Sequence, residues 1–81
     1  MRAEPTVQYH RALMKMPKMV REAAYKQVDR LVQNLRPPSL RAKKYDEAHD
    51  IWQARVTDTH RFYFVIQGNA YILLDITKHP K

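Results

Sequence analysis

Residues 51–76 read IWQARVTDTHRFYFVIQGNAYILLDI, three runs of alternating apolar residues joined by two tight connections. Trp52, Ala54 and Val56 alternate with Gln53 and Arg55; Phe62, Phe64 and Ile66 with Arg61, Tyr63 and Val65; Ile72, Leu74 and Ile76 with Tyr71, Leu73 and Asp75. Successive side chains of a strand point to opposite faces, so each run reads as a strand with its even-numbered residues on a core. Arg55, Arg61 and Tyr63 then share the other face, which an antiparallel sheet can leave open to solvent or to a ligand. Gly68-Asn69 marks the last hairpin. A two-residue loop there would set Ile66 opposite Tyr71 and mix the apolar faces. A three-residue loop, Gly68 to Ala70, sets Ile66 opposite Ile72 and is the predicted register.

Upstream, the period changes from two to between three and four. Tyr9, Leu13 and Met16 suit one face of a helix over Tyr9 to Met16, interrupted before Pro17; Val7 to His10 reads either as a short edge strand or as the first helical turn. From Pro17, Val20, Ala24, Val28, Leu31 and Leu35 form an amphipathic stripe with Lys18, Lys26 and Arg30 away from it. That helix stops by Arg36, because the residue before Pro37 is pushed out of the α region. The connector RPPSLRAKKYDEAHD (36–50) allows a short strand over Ala42 to Tyr45, then a solvated turn at Asp46, Glu47 and Asp50. The predicted fold is α+β: an N-terminal helical hairpin packed on one face of a small twisted antiparallel sheet, one domain over residues 1–81.

A chain of 81 residues buries a modest share of its surface, which argues against a large enclosed cavity. Zero cysteines exclude disulfides, thiolate metal sites and a cysteine nucleophile. The longest apolar runs, 62–66 and 70–74, fall far short of the ~20 residues that span a bilayer. Met1 to Pro5 leads into polar sequence with no signal-peptide core. A soluble, cytoplasmic protein with no membrane contact is expected. The formal charge is +7 and the pI about 10.0, which favours a polyanionic partner, either nucleic acid or an acidic protein. Residues 1–36 carry eight basic and three acidic groups, residues 37–81 seven and five, so much of the excess sits on the predicted helices. No P-loop, GxGxxG, HExxH or EF-hand loop is present, and no histidine or carboxylate spacing is of a ligand type, so neither cofactor nor metal is expected.

If the polyanion is RNA, its phosphodiester can be cleaved through the neighbouring 2′-hydroxyl without a metal. That reaction needs a proton acceptor, a cation on the phosphate and a proton donor for the leaving oxygen. A guanidinium suits the second task, and Arg61 beside Arg55 is the candidate. His60 and His79 are the candidate proton carriers, His60 next to a turn and His79 just past the last strand. Tyr63 is the candidate for stacking on a base; Trp52 shares the core parity and reads as an anchor for the helices.

The order of elements and the string W-x-x-R-V-x-D-x-H-R, here Trp52 to Arg61, with Lys78-His79 after the final strand, are similar to the RelE/ParE toxin superfamily, most closely its RelE-like and YoeB-like branches, over roughly residues 9–79. The resemblance implies a toxin of a type II toxin–antitoxin system: a metal-independent endoribonuclease that cuts mRNA on the ribosome, blocks translation and is neutralised by a cognate antitoxin in a hetero-oligomer. By the same resemblance Arg61 stabilises the phosphate, His79 is the general acid of the YoeB branch and Arg55 supports them. Lys43 and Lys44 fall where RelE-like members contact RNA, with Arg41, Tyr63 and Lys78 as further RNA-binding candidates. The glutamate base of the YoeB branch has no counterpart at Ala42, Lys43 and Lys44, and Pro80 stands where a tyrosine follows the histidine. The alternative is a ParE-like inhibitor of a topoisomerase, or a toxin that only binds its antitoxin.

Overall fold

A computed structural model describes residues 1–34 and 38–79; the predicted helix end at Leu35 and Arg36, and the Pro80 position, lie outside the described residues. The elements are β1 (Arg2–Pro5), α1 (Val7–Met14), α2 (Lys18–Gln33), β2 (Lys43–Asp46), β3 (Ile51–Arg55), β4 (His60–Gln67) and β5 (Ala70–Lys78). The strands form one sheet in the order β1-β5-β4-β3-β2. The fold is α+β, but the sheet is mixed rather than antiparallel: β1 runs parallel to β5, Arg2 opposite Ala70 and Pro5 opposite Leu73. Sequence reading did not foresee β1, because Arg2–Pro5 has no apolar alternation. Backbone pairing at the edge of β5 holds it there, where a proline is tolerated.

Thr6 settles the open choice at Val7. Its backbone is extended and its hydroxyl accepts the Tyr9 N–H at 3.1 Å, so Thr6 is an N-cap and Val7 begins a helix. The same hydroxyl donates to the Leu74 carbonyl, tying the cap to β5. α2 follows at once, with Pro17 as its first flanking residue. Val20, Ala24 and Leu31 of its stripe are buried, as predicted, and so is the polar Gln27. Gln27 ties α2 to the sheet. Its Nε2 donates to the carbonyls of Arg55 (2.7 Å) and Ser39 (3.1 Å), while its Oε1 accepts from Arg30 (2.8 Å). The neighbouring Leu40 is fully buried and accepts the Arg55 N–H at 2.7 Å, so the connector packs into the core.

Ala54, Val56, Phe62, Phe64 and Ile76 are buried under the helices, in the predicted parity. Burial of each phenylalanine contributes roughly 2–3 kcal/mol. The first half of β5 departs from that parity. The β4–β5 hairpin uses the two-residue loop: Gln67 pairs with Ala70 and Ile66 with Tyr71, and Gly68 takes the positive φ (+54°) that such a turn asks of its first residue. Tyr71 and Leu73 are therefore buried, while Ile72 and Leu74 are half-buried. A β-bulge then corrects the phase, since Phe64 pairs with Leu73 but Tyr63 with Asp75, leaving Leu74 as the extra residue. Ile76 returns to the core opposite Phe62. A second irregularity lies in β2, where Lys44 pairs with Trp52 and Asp46 with Ile51, passing over Tyr45. Among the described residues no helix is long and apolar enough to cross a membrane.

Candidate nucleic-acid interface

The helices cover one face of the sheet and leave the other open, and β3 and β4 meet there through Arg55 opposite Arg61. Directly opposed residues of an antiparallel pair share a face, and like charges so placed repel. Each guanidinium has a local counterweight. Arg55 forms an ion pair with Asp58 in the turn that follows. The Arg61 Nη1 donates to the carbonyls of Thr57 (2.6 Å) and His60 (2.8 Å), which fixes the direction of the group and leaves its Nη2 and Nε donors for another ligand. Thr77 on β5 lies opposite Arg61, completing a row Arg55, Arg61, Thr77. The next row along the strands is Lys43, Gln53, Tyr63, Asp75.

His79 is partly exposed one residue past β5, and its N–H donates to the Thr59 carbonyl at 2.5 Å, beside the turn that carries Asp58. His60 is held differently. Its Nδ1 lies 2.9 Å from the Thr59 hydroxyl and 3.3 Å from that of Thr57. Burial, and then the nearby Lys78 ammonium, push its pKa below the ordinary histidine value and favour the neutral ring. Of the two candidate proton carriers, His79 is the one free of such side-chain ties.

The sheet register separates the remaining candidates. Lys43 and Tyr63 fall on the open face. Lys44 does not: it pairs with Trp52 in the opposite parity, its Nζ sits 5.3 Å from the indole centroid, and it forms an ion pair with Asp50. The hydrogen bond to Asp50 raises its pKa. Lys78, opposite His60, likewise has the parity of the helix-covered side. Arg41 is exposed ahead of β2 in left-handed backbone (φ 47°), next to Leu40, whose carbonyl accepts the Arg55 N–H. Glu47 is exposed in the β2–β3 turn, and Asp46 is held below the usual carboxylate range, chiefly by its hydrogen bond to His49.

Beside the arginine row lies an open trough of about 430 Å³ lined by Tyr45, Ile51, Tyr63, Leu74, Asp75 and Thr77. The Tyr45 and Tyr63 rings meet edge to face at 4.9 Å. Sequence reading passed over Tyr45, because it reaches the trough at an irregularity of β2 that no period-two pattern reveals, and gave Asp75 no role although its parity already set it on the open face.

No protein-family model matches the chain, and no curated protein sequence matches it. Solved structures do. A YoeB/ParE toxin from Agrobacterium tumefaciens superposes with a TM-score of 0.81 at 13% identity, covering 99% of this chain and 100% of that one. The archaeal RelE–RelB complex from Pyrococcus horikoshii OT3 gives 0.78 at 20% identity (95% and 92% covered), and the toxin–antitoxin complex RelBE2 from Mycobacterium tuberculosis gives 0.75 at 21% (96% and 95%). At such identities the likeness is one of architecture, and it extends over nearly the whole of each chain: the protein has the fold of the RelE/ParE toxin superfamily.

Proposed function

We propose that this chain is the toxin of a type II toxin–antitoxin pair, a cytoplasmic endoribonuclease that cuts mRNA on the ribosome and is held inactive by a cognate antitoxin. The observation that carries the reading is the Arg55–Arg61 cross-strand pair on the uncovered face, with the His79 backbone tied to Thr59 in the turn that joins their strands. In the proposed reaction the 2′-oxygen attacks phosphorus, forming a 2′,3′-cyclic phosphate and breaking the bond to the 5′-oxygen. Arg61, with Arg55 and Lys43, neutralises charge on the phosphate, and His79 protonates the departing oxygen. No carboxylate matches the family's glutamate base, so the hydroxyl proton passes to water. A positioned base contributes typically 10²–10⁴-fold, and cleavage here is expected to be slow by about that factor. Incubation of purified protein with ribosomes and mRNA is the test. Arg61→Ala should abolish cleavage and His79→Ala should cut it strongly; an Arg61→Ala protein that cleaves like wild type defeats the assignment.

A second reading, a toxin that binds without cleaving, draws support from the internal ties on both guanidiniums, Arg55 to Asp58 and Arg61 to two carbonyls. Induction of the gene with translation and DNA supercoiling followed separately discriminates the two. Arrest of translation with cut mRNA fits the first; altered supercoiling, or neither effect, fits the second.

A further inference from the structure

The trough beside the arginine row is shaped by two irregularities of the sheet that ordinary pairing would not produce. In β2 the residue passed over is Tyr45, and its ring, 62% exposed, reaches the edge of Tyr63. In β5 the extra residue is Leu74, and both Leu74 and Asp75 line the trough. Bulges re-aim side chains and recur beside functional sites. Here they assemble two phenol rings, an apolar floor of Ile51 and Leu74, and one carboxylate in about 430 Å³, within the range of small-molecule sites.

We infer that this trough receives a guanine base of single-stranded RNA, read by Asp75 and packed against Tyr45 and Tyr63, while the adjoining phosphate lies on Arg61. This rests on the proposed function and names the base that the same face would select. Asp75 is held from behind: Oδ1 accepts the Ile76 N–H at 2.9 Å and Oδ2 accepts from Gln8 at 3.2 Å. Each oxygen keeps a second lone pair, so the group presents a fixed fork of two acceptors. Guanine offers two adjacent donors, N1–H and the N2 amine. Adenine and cytosine offer an amine next to an acceptor nitrogen, and uracil one N–H between carbonyls; each sets a lone pair against a carboxylate oxygen. The spacing fits one nucleotide. Asp75 and Thr77 are two residues apart, roughly 6.6–6.8 Å along the strand, and Arg61 stands opposite Thr77.

Fluorescence anisotropy with labelled pentauridylate, unchanged or with G, A or C at its centre, tests this at low salt. The wild-type chain should bind the G-containing oligomer about ten-fold more tightly than the other three. Asp75→Asn replaces one acceptor with a donor and should move the preference from G to A and C, which each set an amine beside an acceptor nitrogen. Gln8→Ala removes the rear tie but keeps the carboxylate, and should keep the preference for G. Arg61→Ala should weaken all four oligomers alike. On the wild-type protein alone, guanosine 5′-monophosphate should displace the G oligomer at lower concentration than adenosine 5′-monophosphate. Equal binding of all four oligomers, or equal displacement by the two nucleotides, overturns the guanine assignment and leaves RNA binding standing. Failure to bind any oligomer overturns both.

Discussion

Gln27→Leu should destabilise the protein by about 2 kcal/mol. The glutamine is 5% exposed and is the donor to the Arg55 and Ser39 carbonyls. Leucine fills similar space but donates nothing. Each carbonyl that loses its partner costs about 1–2 kcal/mol, and the added apolar burial recovers about 1 kcal/mol. Arg30 loses an acceptor too, but it is exposed and turns to water. For a domain of this size 1 kcal/mol shifts Tm by about 4–8 °C, so a fall of about 8–16 °C is expected. Trp52, the sole tryptophan, reports both thermal and urea unfolding by its fluorescence. Lys26→Ala, on an exposed position one residue earlier, should move Tm by less than 2–3 °C. A Gln27→Leu protein within about 0.5 kcal/mol of wild type would mean that these three bonds hold nothing together, and that Arg55 is not positioned from α2.

Stability should fall as pH drops from above 6.5 through the lower folded-state pKa of His60. Burial and Lys78 depress that pKa, so the unfolded chain binds the extra proton first and acid favours it. Urea midpoints at pH 7.5 and 5.5 should differ more for wild type than for His60→Gln. Gly68→Ala should cost about 1 kcal/mol, read from the urea midpoint. Its φ is +54° while no atom lies within 4 Å of the added methyl, so the penalty is one of backbone conformation alone. Leu40→Ala, at a residue that is 0% exposed, should cost about 2–5 kcal/mol in the same assay.

The helices and the three C-terminal strands were legible because period and burial agree: Val20, Ala24 and Leu31, then Ala54, Phe62 and Phe64, all face the core as their spacing predicts. The arginine pair was legible for the same reason, since Arg55 and Arg61 share the odd parity of an uninterrupted hairpin. What defeated pattern reading was phase. A two-residue loop at Gly68-Asn69 shifts the start of β5, and the bulge at Leu74 shifts it back, so two departures cancel at Ile76. A rule that asks every strand to keep one phase prefers the longer loop and misses both. Lys44 shows the same weakness at a candidate site residue. One step along β2 separates it from Lys43, and that step turns it towards Trp52 and Asp50. β1 was invisible for another reason, since its place depends on a partner 68 residues away and its own side chains carry no pattern.

That distant pairing bears on when the protein becomes whole during synthesis. The penultimate place in the sheet belongs to β5, which alone joins β1 to the other strands and is capped by Thr6 at the head of α1. Of the five strands β1 is made first, and it waits for β5, made last of them, before it has anything to pair with; closure of so long a loop is slow. A nascent chain stalled short of residue 70 has no complete sheet and no His79 beside Thr59. A chain built this way gains its continuous sheet in one late step, when β5 arrives between β4 and the waiting β1.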